Sequence, residues 1–212
     1  VVTNIIMFAI TTFYANKLTK VRYRFDRELW KNVLIKALPY GMALILSTSL
    51  IAQEKSETKN SKFQISFGYP LGTHGSDTSY SNDYSFNILY GINSGVNKLE
   101  VGGIFNYNTG NVYGAQISGV ANINTLDTEG FQWSVANITQ GNFSGFQMGA
   151  YNYAKNTKGF QWSTANVTLE NMNGFQLGVF NFAKKVKGLQ LGLINYREND
   201  DDGLSIGLFN II

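Results

Sequence analysis

His74, Ser76 and Asp77 are the three residue types of a hydrolase triad, gathered in the tetrapeptide His74-Gly75-Ser76-Asp77. That chemistry needs nucleophile, base and orienting carboxylate to converge in space, which near neighbours in one loop cannot do, so the segment reads as a solvated loop. His74 is the one histidine and there is no cysteine. Thiolate metal sites, cysteine nucleophiles, disulfides and a lipidated cysteine are therefore excluded. Glu198-Asn199-Asp200-Asp201-Asp202-Gly203 gathers four carboxylates, the hard oxygen ligands that Ca²⁺ prefers. Its spacing follows no regular calcium loop, and an exposed acidic turn is the reading it supports. Lys155, Lys158, Lys184, Lys185 and Lys187 recur in alternate connections and suggest a shared cationic edge toward anionic head groups or glycan. Trp133 and Trp162 occupy equivalent positions and are expected to pack in a core, with sugar stacking or membrane anchoring as the other uses of such rings. The residues imply no catalytic centre, no cofactor and no resident metal.

Those side chains sit in a chain built for repetition. Of 212 residues, 22 are Gly and 2 are Pro, and 14% are aromatic, which points to many strands separated by tight turns. From residue 98 onward Asn recurs as Asn106, Asn122, Asn137, Asn152, Asn166, Asn181, Asn195 and Asn210, at spacings of 16, 15, 15, 14, 15, 14 and 15. Each unit reads Gly, apolar, Gln, apolar, Gly or Ser, apolar, variable, Asn, as in Gly174-Phe175-Gln176-Leu177-Gly178-Val179-Phe180-Asn181. The alternation has period two, so Phe175, Leu177 and Val179 face one way and Gln176 and Gly178 the other. Gly at the start admits positive φ, and Asn at the end can cap a bend. An extra residue before Asn in the first two units is expected as a bulge.

Two architectures accommodate one strand per 14 to 16 residues. In a parallel β-solenoid each unit is one coil, and equivalent residues stack into ladders along the axis. The Gln column of Gln116, Gln132, Gln147, Gln161, Gln176 and Gln190 then becomes a hydrogen-bonded ladder without a ligand. In an antiparallel outer-membrane barrel each unit is one strand facing lipid. Residues 130–158 and 159–187 match at 17 positions, as a barrel hairpin would. Alternation stops at Asn after about seven residues, short of the roughly 9–11 that a spanning strand takes, so the all-β solenoid is preferred. Residues 53–97, with Phe63–Tyr69 and Ser85–Tyr90 alternating, read as a β-hairpin capping eight repeats over 98–212.

The first quarter is different in kind. Residues 1–50 carry seven Lys or Arg against two acids, net +5, whereas residues 51–212 carry ten against twelve, net −2. The larger part is thus too weakly basic for nucleic acid. Val1 to Ala15 and Val33 to Ala52 are apolar and flank a basic loop, the pattern of membrane helices with a cytoplasmic connection. Residues 1–36 read as a membrane-helix and basic-loop fragment. Residues 37–52 read as a hydrophobic helix or the end of a secretory leader, with Ser47 to Ala52 as its cleavage region.

Two resemblances follow. Asn16-Lys17-Leu18-Thr19-Lys20, Tyr23-Arg24-Phe25-Asp26 and Lys36-Ala37-Leu38-Pro39-Tyr40-Gly41-Met42-Ala43-Leu44 resemble a loop and helix of a lipid-linked oligosaccharide flippase, over about a fifth of the chain. Residues 53–212, with Gly-Phe-Gln-Leu-Gly-Val-Phe-Asn and Gly-Leu-Gln-Leu-Gly-Leu-Ile-Asn and the preceding Tyr84 to Val96, resemble the bacterial surface-repeat proteins of spirochaetes, Bacteroidetes and Fusobacteria. The second resemblance implies an exported envelope protein with a structural or adhesive, non-catalytic role. Its expected partners are membrane or envelope components, surface glycan, or a host or neighbour-cell protein. An outer-membrane pore or scaffold is the alternative. If uncleaved, the N-terminal piece would sit in the inner membrane.

Overall fold

Parallel pairing in register is what a repeat of this kind can form, because equivalent residues then meet their own type in the next coil. The computed structural model describes residues 57–199 and 202–212, and these build a succession of short strands into a β-solenoid of about nine turns. The expected leader and flippase-like segments lie outside the described residues. Among the described residues, no helix is long and apolar enough to cross a membrane.

Each turn contributes to two faces. The first face stacks β1 (Lys59–Gly68), β3 (Tyr80–Asn87), β5 (Gly95–Gly102), β7 (Val112–Ser118) and β9 (Thr128–Trp133). It continues through the later parts of β10 (Ala136–Met148) and β11 (Tyr151–Trp162), through β12 (Ala165–Arg197), and ends in β13 (Leu204–Ile206). The second face stacks β4 (Tyr90–Asn93), β6 (Phe105–Asn108), β8 (Ala121–Asn124), the opening parts of β10 and β11, further parts of β12, and β14 (Phe209–Ile211). Gln147 pairs with Gln132 on one side and Gln161 on the other, and Asn137 lies between Asn122 and Asn152. β2 (Leu71–Gly72) is the one antiparallel strand among the described residues, folding back on β1.

This pairing rules out the antiparallel barrel for the described residues, and it corrects the hairpin expected over 53–97. Phe63 pairs with Tyr84, and Tyr84 with Leu99, in parallel, so that region forms the first coils of the same solenoid. The extra residue of the early units is also not a strand bulge. Ile117 and Trp133 are in register, as are Ala121 and Ala136, so the surplus falls in the corner between the faces at Gly119 and Val120.

The interior is polar. Gln116, Gln132, Gln147, Gln161, Gln176 and Gln190 are all 0% exposed, and Asn106, Asn122, Asn137, Asn152, Asn166 and Asn181 equally so. An amide carries both donors and an acceptor, so a column of them at strand spacing satisfies itself. Gln132 Nε2 donates to Gln116 Oε1 at 2.8 Å, Gln147 to Gln132 at 2.7 Å, and Gln161 to Gln147 at 2.7 Å. The Gln ladder donates toward the N-terminal end. The Asn ladder runs the other way: Asn122 Nδ2 donates to Asn137 Oδ1 at 3.0 Å, Asn137 to Asn152 at 2.9 Å, and Asn195 to Asn210 at 2.9 Å. Two columns of aligned side-chain amides therefore run in opposite directions along the axis inside one coil.

Apolar filling of the interior is concentrated at the start of each first-face pass, at Val96, Val112, Phe143, Met172 and Val186, all at most 1% exposed, with Ala154 and Ala183 adding to it in the inward column of Thr139 and Thr168. Gly114, Gly130, Gly145, Gly159, Gly174 and Gly188 follow the position that starts the pass, with φ between 102° and 141°. Their stacked backbones approach so closely that no side chain fits between them.

Candidate interaction face

With amides inside, the Phe, Leu and Trp of each unit must point outward on the first face. One column runs Phe63, Tyr84, Leu99, Ala115, Phe131, Phe146, Phe160, Phe175 and Leu189, ending at Leu204. Its rings stack: centroids of Phe146 and Phe160 lie 4.9 Å apart, as do those of Phe160 and Phe175. The next column runs Ile65, Phe86, Val101, Ile117, Trp133, Met148, Trp162 and Leu177, then Leu191 and Ile206. At the corner a third comprises Ile104, Val120, Val135, Ala150, Thr164, Val179 and Leu193. None of the three columns contains a charged residue.

The tryptophans expected in a core are in this surface. Trp133 is 52% exposed and Trp162 47%, separated by the rung that carries Met148. Between the second and third columns the corner position is always small, so a groove runs along the axis. One stretch, of about 540 Å³, has Trp162, Leu177, Val179 and Leu193 as walls over Gly149, Ser163, Gly178 and Gly192. Another, of about 420 Å³, has Trp133, Val135 and Met148 over Gly119 and Ser134 and shares Gly149 with the first. The second face differs: its outward Ile123, Ile138, Val167 and Phe182 are buried. An uncharged, aromatic face of this extent on a folded chain marks an interaction surface.

The other sequence candidates land elsewhere. His74 Nε2 lies 3.1 Å from Asn82 Oδ1 and the ring stacks on Tyr80 at 3.8 Å. Asp77 instead accepts from Lys59 Nζ at 2.7 Å and from Ser79, bonds that hold its carboxyl below the usual carboxylate range. His74 and Asp77 thus turn to different partners, and no triad forms. The lysine edge is not uniformly cationic. Lys155 Nζ stands 4.0 Å from Glu170 and Lys184 Nζ 3.9 Å from Glu198, so signs alternate along it. In the acidic turn, Asp200 and Asp201 lie outside the described residues, and among the described residues no cluster of three or more His, Cys, Asp or Glu could hold a metal ion.

Glu100 is a site that the Asn and Gln counting missed, although it stands in the Gln column one coil before Gln116. It is fully buried. Its Oε1 accepts from Asn93 at 2.7 Å and Asn87 at 3.4 Å, and its Oε2 from Asn108 at 2.7 Å and Gln116 at 2.8 Å. Burial pushes its carboxyl from 4.5 up to about 7, against the pull of those four amide donors. The folded state therefore holds this proton more tightly than the unfolded chain does. The resulting stability is full below pH 4.5 and is lost as pH rises through 7, a difference of roughly 3 kcal/mol at about 1.4 kcal/mol per pKa unit. Asp77 and Asp83 have lowered values and act in the opposite sense, but only below about pH 4. Urea unfolding at pH 4.5 and pH 8 isolates Glu100: the native chain is expected to lose stability between them, and Glu100→Gln to show none of that loss.

Comparison of the chain with protein-family models, with curated proteins and with solved structures finds no match to any of them.

Proposed function

We propose that this chain is an exported bacterial envelope protein that acts without catalysis, as a structural or adhesive module whose working surface is the first face of the solenoid. The observation that carries this reading is the inversion of the coil. Amides that could have met water are spent on internal ladders, while Phe, Trp and Leu columns are left half-exposed across a whole face. A rigid ladder of this kind positions side chains at a repeat of about 4.8 Å, which suits recognition of an extended or repetitive surface. Export is supported by the leader-like run Lys31 to Gln53 and by the resemblance of residues 53–212 to bacterial surface-repeat proteins.

Labelling of intact bacteria expressing the full chain with a membrane-impermeant amine reagent tests the location, since Lys155 and Lys184 are about half exposed. Label on intact cells is expected; label only after lysis would overturn the exported reading. The working surface is tested by Trp133→Asp combined with Trp162→Asp. Both side chains point outward, so melting should shift by no more than a few degrees, while attachment of the cells to one another or to a substratum should fall several-fold. Unchanged attachment would remove the face from the function.

A further inference from the structure

We infer that the partner of the first face is a second copy of this chain, packed sheet on sheet with the two solenoid axes antiparallel. The inference rests on the reading above that this face is the working surface.

Size is the first argument. Ten rungs at about 4.8 Å and three columns about 7 Å apart give a patch of very roughly 700–900 Å². A stable interface takes about 800 Å² from each partner. The second argument is periodicity. A face whose ridges and groove repeat at strand spacing is matched rung for rung by a surface of the same spacing, and another copy of the face supplies one at the roughly 10 Å separation of packed sheets.

Charge selects the orientation. The position flanking the Phe column reads Tyr113, Glu129, Ser144, Lys158 and Asn173, then Lys187 and Asp202, so that Glu129 stands one rung before Met148 and Lys158 one rung after it. A two-fold axis lying along the strand direction at the Met148 rung reverses this order. It sets Glu129 of one copy toward Lys158 of the other, Trp133 over Trp162, and Met148 over Met148. Rotation about the solenoid axis would instead bring the charged rim of each copy over the corner column of the other. A lipid surface is less well matched, because a face lying on head groups is flanked by cations. Here the flank mixes Glu129 and Asp202 with Lys158 and Lys187, and in the early coils the cations pair with acids, Lys98 with Asp83 at 2.8 Å and Lys59 with Asp77 at 2.7 Å.

The chain has no cysteine, so single cysteines report the geometry directly. In the full chain held in membranes of the expressing cell, Met148→Cys is expected to form a disulfide-linked dimer in high yield on oxidation. Phe86→Cys and Ile206→Cys should each give little alone and a dimer when the two are co-expressed, because the two-fold brings rung two of one copy over rung ten of the other. Efficient self-linking of Phe86→Cys, with no gain on mixing, would overturn the antiparallel arrangement. Absence of any link, with the fluorescence of Trp133 and Trp162 in a Trp30→Phe chain quenched by brominated phosphatidylcholine vesicles, would assign the face to lipid. Absence of both would give it to a foreign partner. Either result would overturn the dimer while leaving the surface-labelling result, and so the exported reading, untouched.

Discussion

Gly159→Ala is expected to destabilise the protein by about 4 kcal/mol or more, roughly a thousandfold in the folding equilibrium, which places it among exceptional single substitutions. The residue has φ +129°, a conformation that side chains rarely adopt, and a Cβ there would lie 2.1 Å from the carbonyl oxygen of Gly145. That oxygen belongs to a stacked backbone held between Gly130 and Gly159, so neither strand can retreat without breaking its ladder bonds. Gly75 supplies the control. It also has positive φ, +59°, but a Cβ there meets nothing within 4 Å. Gly75→Ala should therefore cost only the roughly 1–2 kcal/mol of the left-handed conformation. Urea unfolding of both variants separates crowding from backbone strain, and equal losses would mean that the glycine stack is not crowded.

The second large effect is expected at Asn152. Its Nδ2 is shared among Asn166 Oδ1 at 3.1 Å, Gln147 O at 3.2 Å and Trp162 O at 3.2 Å, while its Oδ1 accepts from Asn137 at 2.9 Å. Asn152→Ala strips these partners at the centre of the stack, where water cannot replace the lost amide. About 3 kcal/mol is the expected cost, since each stranded buried polar group costs about 1–3 kcal/mol. Asn171 makes a similar ladder at an exposed corner, donating to Asn156 Oδ1 at 2.9 Å. Asn171→Ala should cost less than about 1 kcal/mol because solvent takes over the bond. A comparable loss at both positions would contradict the dry interior.

Much of this architecture was legible in the spacing of Asn and Gln. Identical amides at a fixed interval have a physical reason to stack in parallel, but Asn does not close the strand: the corner comes earlier, at Ser134 and Val135, and Asn137 lies within the second-face strand between Asn122 and Asn152. Alternation could say that Phe175 and Gln176 lie on opposite sides, but not which side is inside. The usual preference for apolar interiors placed Trp133 and Trp162 in the core, and the self-satisfying amide ladders reversed that preference. The early coils were hidden because their columns are degenerate: Gly91 stands where later coils have Asn106 and Asn122, and Ser85 and Glu100 stand where they have Gln. Counting residues of one type cannot find a column whose occupant changes. The lysine edge misled for a related reason, since Glu170 and Glu198 interleave with Lys155 and Lys184 only once the coils are stacked.

The register of the amide columns also bears on how such a chain can change over generations. Because each coil from Gln116 to Gln190 offers its neighbour the same Gln above Gln and Asn above Asn, a tandem duplication or loss of one 14- or 15-residue unit among them closes up with its ladder bonds restored. The molecule's reach can then grow or shrink in steps of one strand spacing without any new core having to be invented, whereas gain or loss of a single residue must be taken up locally, at a corner as at Gly119 and Val120 or by a register shift as between Val96 and Leu99.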